Sequence, residues 1–251
     1  MMTAAIDVHG PRCARVERRG ELPAALRALA VRSGRPVLVS VGGASGMASE
    51  DLAAIAALVR ARVVPALDQW GAAVVDGGTD AGVMKVMGQA HDAAGASFPL
   101  IGVAAGGTVA APDVAEAVAD AVDLEPHHTH VVLVPGDSWG DESLWLSDVA
   151  KVVAGDHPSA TLVINGGAIT YEDIRHSLEA GRPVIVVAGA GRTADAIAAA
   201  AAGEGGDERA AQLAASPLVR IVRLDDPDGV TSALEAALRP ENVTVASSDS
   251  S

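Results

Sequence analysis

The sequence predicts an α/β fold: a doubly wound, mostly parallel sheet of about seven strands, covered by helices on both faces. Three observations carry that expectation. Short, continuous apolar runs alternate with longer Ala-rich helical patterns almost to the end of the 251 residues, which is how strands buried on both faces read. Aromatic residues make up only 2% of a chain that is 49% hydrophobic, so the core is Ala, Val, Leu and Ile, which suits helices packed closely on a sheet. Six of the apolar runs end in turns that contain glycine, where the carboxyl ends of parallel strands meet the next helix.

The elements follow in order. In the first 35 residues, 6–17 reads as an added edge strand and 21–34 as the helix after it, together an extension of the same domain. The main body spans 36–240, with strands expected at 36–41, 72–76, 99–104, 130–134, 161–165, 183–188 and 219–224. Helices are expected at 49–63, 80–94, 113–122, 143–154, 171–180, 192–202 and 228–239, and Ser49 is placed to cap the first. Residues 203–217 read as a mobile loop leading into a helix, and 241–251 as a polar, disordered tail. No composition break divides 30–240, so a single domain is expected.

Composition narrows the function. A net charge of −14 argues against a nucleic-acid duplex or an anionic membrane as partner, since both reward clustered Lys and Arg. Cys13 is alone, so neither an intrachain disulfide nor a Cys-based metal site can form, which fits a reducing cytoplasm. No signal-peptide pattern opens the sequence. The longest uncharged run, 93–111, contains Pro99 and several glycines and reads as a buried strand between glycine loops rather than a membrane span. A cytoplasmic protein is expected.

The strand ends point to a ligand. Gly42 and Gly43 follow the first strand of the main body, and Gly77, Gly78, Thr79 and Gly82 follow the second. Gly166, Gly167 and Thr170 follow the fifth, and Gly189, Gly191, Arg192 and Asp195 the sixth. Glycine lets a ligand approach the backbone with no Cβ in the way, and N–H groups at a following helix start favour an anion. Such turns repeated along one sheet edge predict a phosphorylated, nucleotide-like ligand. No G-x-x-x-x-G-K-[ST] occurs, which leaves P-loop ATP hydrolysis unsupported. The nearest approach to G-x-G-x-x-G is GAGRTAD (189–195), where Asp195 replaces the last glycine. Ser45 follows a strand but lacks the G-x-S-x-G elbow of a Ser-His-Asp hydrolase. His127, His128 and His130, near Glu125 and Asp137, are metal-ligand types, and on a strand two of them would share a face. Hydrogen bonding at a polar strand start accounts for them as well, and no metal site is expected.

Three segments, DGGTDAGVMKVMGQA (76–90), GGAITYEDI (166–174) and GAGRTADAIAAA (189–200), resemble in order and spacing the SLOG superfamily. The likeness is to the prokaryotic relatives of the N-terminal cytoplasmic region of melastatin-type TRP channels, over 36–202. It implies a Rossmann-like sheet and the binding of ADP-ribose-type nucleotides. Carried over by motif, Gly77, Gly78, Thr79 and Gly82 would line a diphosphate, joined by Gly166, Gly167 and Thr170 from the neighbouring turn. Arg192 would clamp phosphate, Asp195 would hold that segment or a ribose, and Trp139 would stack on adenine. An Arg fork suits phosphate and Trp suits a base. Two departures stand out. LWLSDVAK (144–151) replaces a helix that carries arginines in the channel region, and Asp76 sets a negative charge directly before Gly77.

The same superfamily includes phosphoribohydrolases with the signature P-G-G-x-G-T-x-x-E. Here the segment is NGGAITYED (165–173), with Ile169 for the third glycine and Asp173 for the Glu, and no Arg-Lys pair precedes it. The resemblance therefore implies binding or sensing of a phosphorylated nucleotide-derived ligand, ADP-ribose or a related NAD metabolite, with no separate cofactor. The alternative is an N-glycosidase that uses Asp173 or Glu172 on a nucleoside monophosphate or NAD derivative. A sensor needs an effector, for which a separately encoded partner or a homo-oligomer joined through an Ala-rich helix face is expected.

Overall fold

The computed structural model describes residues 10–43, 47, 49–110 and 121–239. Its strands are β1 (Arg12–Arg15), β2 (Val37–Gly42), β3 (Ala73–Asp76), β4 (Leu100–Ala105) and β5 (Val109–Ala110), then β6 (Val122–Asp123), β7 (His130–Val134), β8 (Ser159–Ile164), β9 (Val184–Ala188) and β10 (Val219–Arg223). Its helices are α1 (Leu22–Ala28), α2 (Ser49–Leu58), α3 (Val64–Trp70) and α4 (Gly82–Ala94), followed by α5 (Ser143–Ala154), α6 (Ala168–Glu179), α7 (Arg192–Ala201), α8 (Glu208–Ala214) and α9 (Pro227–Leu238).

Eight strands form one sheet in the order β1-β7-β4-β3-β2-β8-β9-β10, and every pairing in it is parallel. The eighth strand, against about seven expected, is the edge strand β1 on β7. All six residues of β4 and all four of β3 are buried, because helices cover both faces. The sheet meets α1, α5, α6, α7 and α8 in one core and α2, α3, α4 and α9 in the other. From β2 the chain builds outward through β3, β4 and β7, then returns to β8 on the opposite side of β2. The order reverses between β2 and β8. The loops after these two strands therefore part, and a crevice opens at their carboxyl ends.

Local chemistry explains where the elements depart from expectation. The helix expected at 49–63 continues to Trp70 through a π turn at Val59–Val63. Pro65 lacks an N–H and its ring crowds the carbonyl four residues back, and the wider π turn just upstream makes room for it. Helix α6 begins at Ala168, ahead of the expected 171, because Thr170 Oγ1 accepts the Gly167 N–H at 3.1 Å and closes the first turn. Within 203–217, α8 is capped by the Asp207 carboxylate, which accepts from the Arg209 and Ala210 N–H groups. Val122, expected to end a helix, instead pairs with Val109 in the small ladder β5–β6. The rest of that expected helix (113–120), Ser45, the capping side chain of Ser49 and the tail at 241–251 lie outside the described residues. Among the described residues no helix is long and apolar enough to cross a membrane.

Candidate functional site

A cavity of about 490 Å³ occupies the crevice. Ser40, Gly42 and Gly43 reach it from β2, Gly77 and Thr79 from the turn after β3, and Gly167, Ala168, Ile169, Thr170 and Asp173 from α6. Trp139 and Glu142 enter from the turn before α5, and Arg192 from the start of α7. The first turn of α6 thus faces the cavity with the positive end of its helix dipole. Of the residues expected at a ligand site, Gly42, Gly43, Gly77, Thr79, Trp139, Gly167, Thr170, Asp173 and Arg192 converge here.

The others support this wall from behind or stand apart from it. Gly78 has φ +67°, and a Cβ there would lie 2.8 Å from Gly102 Cα. Its N–H donates to Asp76 Oδ1 at 2.8 Å, so it is spent inside the turn. Gly82 opens α4, whose Val83 N–H donates to the Gly43 carbonyl at 3.2 Å and ties the two loops together. Gly166 packs on Thr170. Asp195 Oδ1 accepts the Gly189 N–H at 2.6 Å and so fixes the turn before Arg192. Glu172 is exposed and pairs with Arg175 at 2.7 Å, outside the cavity wall.

Gly77 is different in kind. A Cβ there would meet only the Met84 side chain at 3.9 Å, so protein packing does not demand glycine. The space kept open belongs to the cavity. At Gly167 a Cβ would come within 3.3 Å of Arg192 Nη2, which places the guanidinium beside that turn. Arg192 itself holds a left-handed backbone at φ +52°, after Gly191 at +93°. A non-glycine residue there is strained, and Asn165 holds the strain in place. Its Nδ2 donates to the Ala190 carbonyl at 2.7 Å and its Oδ1 accepts the Gly166 N–H at 2.8 Å, so one side chain joins the β8 and β9 turns. Asn165 also takes φ +62°, which Asn tolerates better than most residues. An Asn directly before Gly-Gly at a strand end is the signal that could have marked it.

Two acids give one wall its character. Burial pushes the Asp173 carboxyl up to about 7, helped by Glu142 and Glu172 and opposed by the nearby Ser143 hydroxyl. Neither Ser143 Oγ nor Asp173 Oδ1 completes a hydrogen bond in the geometry seen. Burial also raises the Glu142 carboxyl. No sequence motif singled out Glu142, whose position follows from α5 packing beside α6.

Asp76, the acid in front of Gly77, has a partner that the sequence did not reveal. His128 donates from Nε2 to Asp76 Oδ1 and from Nδ1 to Glu125 Oε2, both at 2.8 Å, with all three side chains fully buried. Burial opposes the imidazolium, but Asp76 and Glu125 outweigh it and push His128 up to about 9. Its charge therefore offsets Asp76 behind the glycine turn. His128 lies before β7, not on it, so the expected shared strand face with His130 does not form. Burial and then Arg12 lower His130 to about 4. Among the described residues no group of three or more His, Cys, Asp or Glu could hold a metal ion.

The model of a protein family described as "SLOG in TRPM, prokaryote" matches residues 35–232. The match extends past the three motifs through β10 into α9. No curated protein matches the chain.

Proposed function

The chain belongs to the prokaryotic family of SLOG in TRPM, and from that premise we propose that it binds a phosphorylated nucleotide-derived ligand of the ADP-ribose type. Membership supports a nucleotide-related role in general, whether binding or N-glycosidic cleavage. The observation that carries the binding reading is Gly77. It keeps backbone open to the cavity where packing would tolerate a side chain, in the same cavity that Gly167 and the Arg192 guanidinium line. Phosphate would sit against these backbones and take the Arg192 fork. Trp139, 46% exposed on the cavity rim, would receive the base. Ligand at about 100 times its Kd stabilises a fold by ~2.7 kcal/mol, which at this size raises Tm by about 5–10 °C. Thermal melts with ADP-ribose, AMP and NAD check this. A flat response to all three overturns the reading.

The position of Asp173 favours one further reading, cleavage of an N-glycosidic bond. A carboxyl raised to about 7 on the cavity wall is protonated often enough to serve as a general acid. Glu172, turned outward to Arg175, has no access to such a bond. Chromatography of AMP, ADP-ribose and NAD after incubation would show free base or nicotinamide, and Asp173→Asn would abolish its release. Release unchanged in the variant removes Asp173 from the chemistry.

A further inference from the structure

The cavity has two ends of unlike chemistry. Arg192, Gly167 and the α6 first turn form an anion-favouring end. Asp173 stands six residues beyond Gly167 on α6, about 9 Å further along the helix axis, and there it faces Glu142 across the cavity wall. Phosphate is repelled from that end, so a ligand held by Arg192 must present something else to the acids.

The polar atoms around the cavity indicate what that is. Asp173 Oδ1 is sealed from solvent and has no hydrogen-bond partner, and neither does Ser143 Oγ beside it. Ser40 and Thr79, 1% and 2% exposed, line the same cavity, and their hydroxyls are also without partners. Buried polar atoms left unpaired destabilise a fold. The Ser40 and Thr79 hydroxyls can donate or accept, whereas the Asp173 and Glu142 carboxylate oxygens on the cavity wall call for donors. Glu142 Oε2 already accepts the Gly140 N–H at 3.0 Å, which fixes that carboxyl and leaves its other oxygen to accept. Trp139, 46% exposed, also lines the cavity.

We propose that Glu142 and Asp173 form a donor-reading subsite, which accepts hydrogen bonds from neutral N–H or O–H groups on the nucleoside part of the ligand and so directs its phosphates toward Arg192. The proposal rests on the nucleotide-binding reading above and adds an orientation and a selectivity to it. A site whose acceptors are satisfied only by the ligand rejects an analogue without the donor far more strongly than an apolar pocket rejects a missing methylene. The donor is either the exocyclic amino group of the base or a ribose hydroxyl, and analogues separate the two.

Calorimetric titration of the full chain with AMP and ADP-ribose, and with their hypoxanthine and 2′-deoxyribose counterparts, tests this. At least one replacement is expected to weaken binding 10-fold or more, and which one does so identifies the donor group. Glu142→Met and Asp173→Leu, which remove the acceptors, are expected to shrink that discrimination below 3-fold, with melting curves confirming that each variant is folded. Equal affinities for the analogues in the unmodified protein, or discrimination that persists in both folded variants, overturns the donor subsite and leaves nucleotide binding intact. No binding of any of the probes overturns both.

Discussion

Asp76 sits where a carboxylate is least welcome beside phosphate, yet its charge faces inward to His128 at 2.8 Å. That pairing spans 52 positions of sequence, so no local pattern reveals it, whereas Asp173 and Arg192 were legible because each occupies a fixed place in a glycine motif. Removing His128 takes away the imidazolium between two buried carboxylates, leaving Asp76 with only the Gly78 N–H and Glu125 with only His127. His128→Gln is therefore expected to lose ~3 kcal/mol, read by urea denaturation. The sign of the pH effect follows from a raised pKa. The fold holds the His128 proton more tightly than the unfolded chain, so this stabilisation is complete below about 6.5 and fades as pH rises through about 9. Stability that does not fall between these values in the wild type contradicts the pairing. Asp173 titrates with the opposite consequence. Its folded pKa of about 7 lies above the ordinary 3.8, so its burial weakens the fold progressively from pH 4 to 7 and fully above. Asp173→Asn is expected to raise the ligand-free Tm by about 2–4 °C above pH 7, the response to roughly 1 kcal/mol at this size, with the gain gone near pH 4.

At the scale of elements, the β3–α4 turn holds two adjacent glycines with separate duties, and substitution tells them apart. Gly78→Ala forces a Cβ into a left-handed backbone 2.8 Å from Gly102 Cα and is expected to destabilise by about 2 kcal/mol or more. Gly77→Ala meets only Met84 at 3.9 Å and is expected to leave Tm within about 2 °C while weakening nucleotide binding. Melting curves and titrations on both variants check the pair, and a large Tm loss in Gly77→Ala would contradict its assignment to the cavity. The strands themselves were legible because residues buried on both faces leave continuous apolar runs such as PVLVSV and HVVLV. The two-residue strands β5 and β6 have no period to read. The run of helix past Val63 was hidden by Pro65, which usually marks a boundary and here is accommodated by the π turn.

For the molecule as a whole, alternation of strand and helix implied a parallel, doubly wound sheet, but not which strands are neighbours. β2 pairs with β8 and β1 with β7, contacts between distant segments that depend on global packing. That order sets the reversal between β2 and β8, and the reversal is what gathers turns from β2, β3, β8 and β9 around one cavity. The individual glycine turns were readable, and their convergence was not. In a chain of net charge −14, an anionic ligand has to be held by local geometry, and Arg192 supplies the cation at the wall. The most direct test is calorimetric titration of ADP-ribose into the wild type and Arg192→Ala. One-site binding, weakened about 10- to 100-fold by the loss of a charged hydrogen-bonding fork, is the predicted result. Equal affinity in the two proteins, or no binding by the wild type, would contradict it.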